Sequence, residues 1–140
     1  MPLQNKILLI EDDDGDAELF FHAMVNGILA DDIVHKKDGE SALVYLRDSN
    51  EPNPVVIFLD LNLPGIDGRE VLKRIKQDKE LKTIPVIVMT TSNNDVDIVD
   101  CYESHANCYV RKPVDFNRFV EAIKNLRSVW LSIVTLPPSS

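Results

Sequence analysis

Runs rich in apolar residues recur along the chain, and segments of helical pattern separate them. Residues 6–10, 55–59, 85–89 and 107–111 form such runs, and a polar residue follows each one. Short apolar runs bounded in this way are typical of strands that are buried on both faces of a parallel sheet. Residues 32–35, with the sequence DIVH, are a weaker candidate. The pattern therefore predicts four strands and, more weakly, a fifth.

Helical spacing, with apolar residues three and four apart, fills the intervals between these strands. The segments that have it are 16–25, 40–47, 69–76, 96–103 and 116–130. Gly39 and Gly68 each stand just before one of these predicted helices. Strands that alternate with helices are typical of a doubly wound α/β fold, in which right-handed crossovers place helices on both faces of a parallel sheet. We therefore expect five βα units.

Composition and charge exclude several kinds of function. A length of 140 residues suits a single domain over residues 1–140. The net charge of −8 works against nucleic acid as a partner, because that binding depends largely on Lys and Arg that neutralise phosphates. No apolar run is long enough for a membrane span, and the opening MPLQNK has no apolar signal segment, so we expect a cytoplasmic protein. Cys101 and Cys108 are too few for a disulfide framework, and we expect reduced thiols.

Acidic residues follow two of the predicted strands. Glu11 and Asp12 come directly after residues 6–10, and Asp60 comes directly after residues 55–59. In a sheet of order 2-1-3-4-5 these two strands are neighbours, and their ends bring the carboxylates together. Such carboxylates repel one another unless a cation neutralises them, and ligands that are all oxygen suit Mg2+. The alternative is that the run EDDDGD is an ordinary solvated loop.

Four segments at the predicted strand ends share a known pattern. IEDD, FLDLNLPGIDG, VMTTS and YVRKP together resemble the CheY-like receiver domain of two-component response regulators, and the resemblance covers residues 5–127. It implies a flavodoxin-like fold with strand order 2-1-3-4-5 and a role in signalling. In that role Asp60 is the phosphoacceptor, which takes a phosphoryl group from a phosphohistidine of a sensor histidine kinase.

The same resemblance implies the other site residues. Glu11 and Asp12 would hold Mg2+, with the backbone carbonyl of Asn62 as a further ligand. Lys112 would pair with the phosphoryl oxygens, and the bond Lys112-Pro113 resembles the family's cis peptide. Glu11 stands where many receivers carry Asp, and its extra methylene group can place a water between carboxylate and metal. Asp12 is therefore the safer direct ligand.

A conformational switch is also implied by the resemblance. The hydroxyl of Thr90 would donate to a phosphoryl oxygen, and Tyr109 would fill the space that Thr90 leaves behind. In the family this paired movement changes the surface formed by helix four, strand five and helix five. Taken alone, Thr90 is an ordinary strand residue and Tyr109 an ordinary half-buried aromatic, so their roles depend on the presence of Asp60 and Lys112.

A narrower resemblance concerns the partner. The segments ELFFHAM, TTSNNDVDIVDCYESHANCYVRKP and FVEAIKNLRSVWLSIVTLP are similar to those of single-domain regulators paired with bacterial phytochrome kinases. In that subgroup the partner is a light-sensing histidine kinase. We therefore expect a phytochrome-like kinase as the source of the phosphoryl group.

Two functions of other classes stay open. A phosphatase of the haloacid dehalogenase type also uses an Asp nucleophile after a strand, but it normally carries a second Asp where this chain has Asn62. A receiver-like module that binds its partner without phosphorylation is the other alternative. His22, His35 and His105 have no spacing typical of a metal site or catalytic triad, and we expect them on the surface or on helix faces without a functional role.

The C-terminal tail, residues 128–140, carries more apolar residues than the predicted fold can cover. Contiguous apolar surface of this kind usually marks an interaction site, and aromatic residues are enriched in interface cores. We expect a two-fold homodimer. The residues expected at the dimer or partner face are Tyr109, Phe119, Trp130, Leu131 and Val134. The alternative is a tail that folds back along its own domain.

Overall fold

A computed structural model of the chain describes residues 6–24, 33–48, 50–90, 106 and 108–111. Strands and helices alternate through most of this part. The elements are β1 (Ile7–Ile10), α1 (Asp14–Met24), β2 (Ile33–Lys36), α2 (Gly39–Arg47), β3 (Val56–Asp60), α3 (Gly68–Gln77), β4 (Val86–Thr90) and β5 (Cys108–Arg111). The helices predicted over 96–103 and 116–130 lie outside the described residues. Among the described helices, none is long and apolar enough to cross a membrane.

The strands form one parallel sheet in the order β2-β1-β3-β4-β5. This confirms the order 2-1-3-4-5, and the weaker candidate over 32–35 is a true strand at Ile33–Lys36. The third strand extends one residue beyond the predicted range, because Asp60 still pairs with Met89 of β4. The phosphoacceptor candidate is therefore the last residue of a strand in the middle of the sheet.

Helices pack on both faces of the sheet, as predicted for a doubly wound fold. Alternate residues of each strand point to opposite faces. Leu8 and Ile10 of β1 lie in one buried cluster with apolar residues of α2 and α3. Ile7 and Leu9 lie in a second cluster with Ala17 and Phe20 of α1. The strands of the middle of the sheet are thus buried on both sides, which explains why their sequences read as continuous apolar runs.

Aspartate side chains set the starts of α2 and α3. Asp38 Oδ1 accepts a hydrogen bond from Ser41 N–H at 2.7 Å, and Asp67 Oδ1 accepts one from Arg69 N–H at 2.8 Å. A carboxylate is well suited to this position because it satisfies N–H groups that have no partner within the helix. Gly39 and Gly68 are consequently the first residues of their helices, and the prediction that they precede the helices is wrong by one residue.

Helix α1 also begins earlier than the apolar spacing predicts. Asp13 Oδ1 accepts from Asp16 N–H at 2.9 Å, and the Asp13 carbonyl accepts from Ala17 N–H at 3.0 Å. The helix therefore begins at Asp14 and not at residue 16. Asp13 is exposed, and it joins the end of β1 to the first turn of α1.

Candidate functional site

Three carboxylates meet at the carboxyl ends of two neighbouring strands. Glu11 and Asp12 directly follow β1, and Asp60 ends β3. Because β1 and β3 are adjacent and parallel, one oxygen from each of the three carboxylates lies within 4.8 Å of the others. This confirms the prediction that they come together. Asp12 is exposed, whereas Glu11 and Asp60 are only 1% and 4% exposed.

The chemistry of this cluster suits a hard divalent cation. In the described part of the chain, Glu11 and Asp60 are the polar or charged side chains that are buried. Burying a charged carboxylate is costly unless it is paired or coordinates a metal. The candidate donors are all carboxylate oxygens, which are the ligands that Mg2+ and Mn2+ prefer. The exposed Asp12 leaves one side of the cluster open to solvent.

The backbone of Glu11 is held on both sides by β2. Its N–H donates to the Lys36 carbonyl at 3.0 Å, and its carbonyl accepts from His35 Nε2 at 2.8 Å. A carbonyl can only accept, so Nε2 carries the proton in this bond. The Glu11 side chain is held too, since its Oε2 accepts from Asp13 N–H at 3.3 Å. These bonds fix the direction in which Glu11 leaves β1.

His35 therefore has a role that the sequence did not reveal. We expected it on the surface or on a helix face, but it lies half-buried in β2, edge-on to Phe21 with ring centroids 5.8 Å apart. That expectation is wrong because residues 32–35 were only a weak strand candidate, and their apolar pattern did not show that His35 lies beside β1. The strand register pairs His35 with Leu9, two residues before Glu11, and only this register would have pointed to the contact.

Asp60 and the loop that follows it are also fixed locally. The β3–α3 loop (residues 61–67) begins with Asn62 N–H donating to Asp60 Oδ1 at 2.9 Å. It closes where Gly68 N–H donates to the Leu61 carbonyl at 3.1 Å. A Cβ at position 68 would lie 2.5 Å from the Asp60 carbonyl oxygen and 2.6 Å from Leu61 Cα, so only glycine fits. Gly68 therefore allows the end of this loop to pack directly against the end of β3.

A salt bridge lies beside the cluster. Lys37 Nζ is 2.7 Å from Asp14 Oδ1 and joins the segment after β2 to the start of α1. This hydrogen bond and the charge of Lys37 lower the pKa of Asp14. Both side chains are largely exposed, so the pair contributes little to stability by itself.

The structure describes the other predicted site residues only in part. The backbones of Thr90 and Tyr109 are described: Thr90 is the last residue of β4, the strand beside β3, and Tyr109 lies in β5 opposite Val88. The remaining predicted residues, outside the described part, are Lys112, Pro113, Phe119, Trp130, Leu131 and Val134. Their roles stay predictions.

Known proteins share this fold and this sequence pattern. The family model of the response regulator receiver domain matches residues 7–124. The response regulator Rcp1 of Synechocystis sp. is 41% identical over 135 residues, which cover 94% of this chain and 92% of Rcp1. The match to the crystal structure of the Mn2+-bound form of Rcp1 covers 96% of this chain and 99% of the Rcp1 chain, with 40% identity and a TM-score of 0.89.

A second solved structure links the fold to phosphorylation. The phosphorylated cyanobacterial phytochrome response regulator RcpA is 42% identical, with a TM-score of 0.91, and the match covers 96% of this chain and 99% of RcpA. Receiver domains of this kind are signalling proteins and not classical enzymes. The chain belongs to the response regulator receiver domain family and is similar to the phytochrome response regulators of cyanobacteria.

Proposed function

We propose that this chain accepts a phosphoryl group on Asp60 from a phosphohistidine of a sensor histidine kinase and relays the signal by changing conformation. The main support is the meeting of the Glu11, Asp12 and Asp60 carboxylates within 4.8 Å. In the transfer, a carboxylate oxygen of Asp60 attacks phosphorus, the phosphorus–nitrogen bond breaks, and the imidazole nitrogen keeps its electron pair. The bond from Asn62 N–H to Asp60 Oδ1 sets the rotation of the carboxylate for this attack.

Glu11 and Asp12 are the residues that would hold Mg2+, with the Asn62 backbone carbonyl as a further ligand. Bound Mg2+ would neutralise charge on the phosphoryl oxygens during transfer. The all-oxygen donor set supports this assignment, and so does the Mn2+-bound form of the similar protein Rcp1. Because β2 holds both backbone groups of Glu11, this residue enters the cluster with little freedom to move.

The remaining roles in the proposal rest on the sequence. Lys112 would pair with the phosphoryl oxygens, and the Lys112-Pro113 peptide would place it there. Thr90 and Tyr109 would carry the change of conformation from Asp60 to the face that includes β5. Slow hydrolysis of the aspartyl phosphate by the protein itself would end the signal.

A phytochrome-type kinase is the partner that the proposal favours. RcpA, described as a cyanobacterial phytochrome response regulator, is 42% identical over nearly the whole chain. Transfer from a light-sensing kinase would take place in the cytoplasm, which is where the sequence predicts the protein to be. We do not expect nucleic acid as a partner, because the net charge of −8 disfavours binding to phosphates.

The proposed assembly is a homodimer. Residues 1–140 form one receiver domain in this proposal, and a second copy covers its apolar tail, residues 128–140. Sedimentation of the whole chain and of a chain ending at residue 128, at equal concentration, tests it. We expect a dimer that the truncation shifts toward monomer. A whole chain that is monomeric at tens of micromolar, phosphorylated or not, would refute the dimer.

Incubation with acetyl phosphate and Mg2+, followed by intact mass, tests the function. A single added phosphoryl group that is lost in base and absent from Asp60→Asn supports the proposal. Asp48→Asn is the matched control, since this exposed aspartate follows the far end of α2 and its replacement keeps an oxygen acceptor. Steady release of phosphate from many substrates would support a phosphatase of the haloacid dehalogenase type instead. Absence of any adduct would support a module that acts without phosphorylation.

A further inference from the structure

A glutamate on α2 contacts the loop that follows the phosphoacceptor. Glu40 Oε1 accepts a hydrogen bond from Ile66 N–H at 3.1 Å, across 26 positions of sequence. Glu40 is the second residue of α2, and Asp38 fixes the start of that helix through its bond to Ser41 N–H. The carboxylate therefore reaches the loop from a helix that starts at a defined place.

The loop is shaped to receive this carboxylate. Gly65 has φ +71°, in the left-handed region that side chains other than glycine rarely adopt. A Cβ at this position would lie 2.7 Å from Glu40 Oε1 and 3.2 Å from Oε2. The glycine thus allows the backbone to turn directly against the carboxylate, and Ile66 then presents its N–H to it. The contact with Glu40 therefore depends on the left-handed backbone conformation of Gly65.

The contact lies on the same short loop as the candidate metal ligand Asn62. The amino end of the loop is fixed by the bond from Asn62 N–H to Asp60 Oδ1, and its carboxyl end is fixed where Gly68 N–H meets the Leu61 carbonyl. Glu40 holds Ile66, between these two anchors. A loop with three fixed points has little freedom to turn the peptide that carries the Asn62 carbonyl.

We propose that Glu40 is a positioning residue for metal binding and phosphoryl acceptance at Asp60. Its carboxylate holds the β3–α3 loop in the conformation that presents the Asn62 carbonyl to the cation. The proposal rests on the function proposed above and adds a residue that does not itself touch the metal or the phosphoryl group. A purely structural role would be different: an acidic residue in the first turn stabilises α2 through the helix dipole and would not alter the affinity of the folded protein for a cation.

The test compares Glu40→Ala with Glu40→Gln. Both remove the negative charge, and with it any general attraction of the cation, but the glutamine amide oxygen can still accept from Ile66 N–H. Loss of this exposed hydrogen bond should weaken Mg2+ binding by Glu40→Ala relative to Glu40→Gln, by up to about tenfold, which is the full net value of one hydrogen bond. Isothermal titration with Mg2+ measures this. The rate of phosphorylation by acetyl phosphate, measured at limiting and saturating Mg2+, should differ between the two variants more at limiting Mg2+.

Two further variants complete the experiment. Glu70→Ala is the matched control, because Glu70 is also in the first turn of a helix and its side chain pairs with Arg74 of the same helix. It should bind Mg2+ like wild type. Gly65→Ala perturbs the same contact from the loop side, and it should weaken Mg2+ binding in the same direction as Glu40→Ala. Urea unfolding of each variant establishes that the folded protein is being titrated.

The outcomes separate the two proposals. If wild type binds Mg2+ and accepts phosphate but Glu40→Ala and Glu40→Gln have equal Mg2+ affinities and equal rates, the role of Glu40 is refuted and the proposed function stands. If wild type neither binds Mg2+ nor accepts phosphate, the proposed function fails and the role of Glu40 fails with it.

Discussion

Gly68→Ala should disturb both the stability and the chemistry of the protein, although the residue lies in a helix. The new Cβ would be 2.5 Å from the Asp60 carbonyl oxygen, 2.6 Å from Leu61 Cα and 2.8 Å from the Leu61 carbonyl oxygen. These distances are about 0.7–1 Å shorter than the ~3.5 Å of a comfortable nonbonded contact. All three atoms belong to the backbone at the end of a sheet strand, so no side chain can rotate away.

The size of the effect follows from two opposing contributions. Overpacking against atoms that cannot move costs about 1–3 kcal/mol, while replacement of a helical glycine by alanine returns up to about 1 kcal/mol. The return is smaller at the first helical position, so we expect a net loss of about 1–2 kcal/mol in the free energy of unfolding. With a urea m-value of about 2 kcal/mol/M, the midpoint should fall by roughly 0.5–1 M. A shift of about 1 Å at Asp60 can also slow phosphoryl acceptance by up to about 100-fold.

Urea unfolding and the rate of phosphorylation by acetyl phosphate measure the two effects. Gly15→Ala is the matched control, because its Cβ would meet only the exposed Asp13 Oδ1, at 3.1 Å. This control should keep the wild-type rate and change stability little, because the gain from replacing a helical glycine is opposed where the Cβ crowds the Asp13 carboxylate that accepts from Asp16 N–H. The reasoning is refuted if Gly68→Ala unfolds at the wild-type midpoint and is phosphorylated at the wild-type rate.

Three other predictions concern contacts around the site. His35→Leu should destabilise the protein by about 1–3 kcal/mol and weaken Mg2+ binding, because the Glu11 carbonyl loses its donor. His35→Gln should retain much of the stability and of the Mg2+ affinity, because its amide N–H can still donate to that carbonyl. Equal behaviour of the two variants in urea and Mg2+ titrations would contradict this prediction. Hydrogen bonds from Ser41 lower the pKa of Asp38, so its stabilising effect is complete above about pH 4 and is lost as the pH falls through the lowered pKa. The difference in urea midpoint between wild type and Asp38→Ala should therefore shrink on acidification, and a constant difference down to pH 2 would contradict it. Lys37→Met should raise the pKa of Asp14 toward its ordinary value, which an NMR titration of the carboxyl group measures; an unchanged titration curve would mean that the salt bridge does not form in solution.

The central strands could be predicted from the sequence because burial on both faces leaves a plain signal. β1 and β3 are buried throughout, and their apolar runs have no alternation that would confuse them with surface strands. β2 lies at the edge of the sheet, where only Ile33 is buried and the other three residues are half-buried. Its apolar pattern is correspondingly weak, and the sequence therefore indicates this strand less clearly than the other four.

The acidic cluster could also be predicted, since topology alone brings the ends of β1 and β3 together. The residues that hold the cluster could not. His35 acts on Glu11 across 24 positions and Glu40 acts on Ile66 across 26, so each contact depends on strand register and on the rotamer of one side chain. The helix starts were misjudged for a related reason, because Asp13, Asp38 and Asp67 place them by hydrogen bonds to the backbone and not by apolar spacing.

The most direct test of the central claim is to identify the residue that receives the phosphoryl group. Protein treated with acetyl phosphate and Mg2+ is reduced with borohydride, which converts an aspartyl phosphate to homoserine, and is then digested for peptide mass spectrometry. We predict homoserine at position 60, formed only when Mg2+ is present during phosphorylation and absent from Asp60→Asn. Homoserine at another aspartate, or an undiminished yield from Asp60→Asn, would contradict the assignment of Asp60 as the phosphoacceptor.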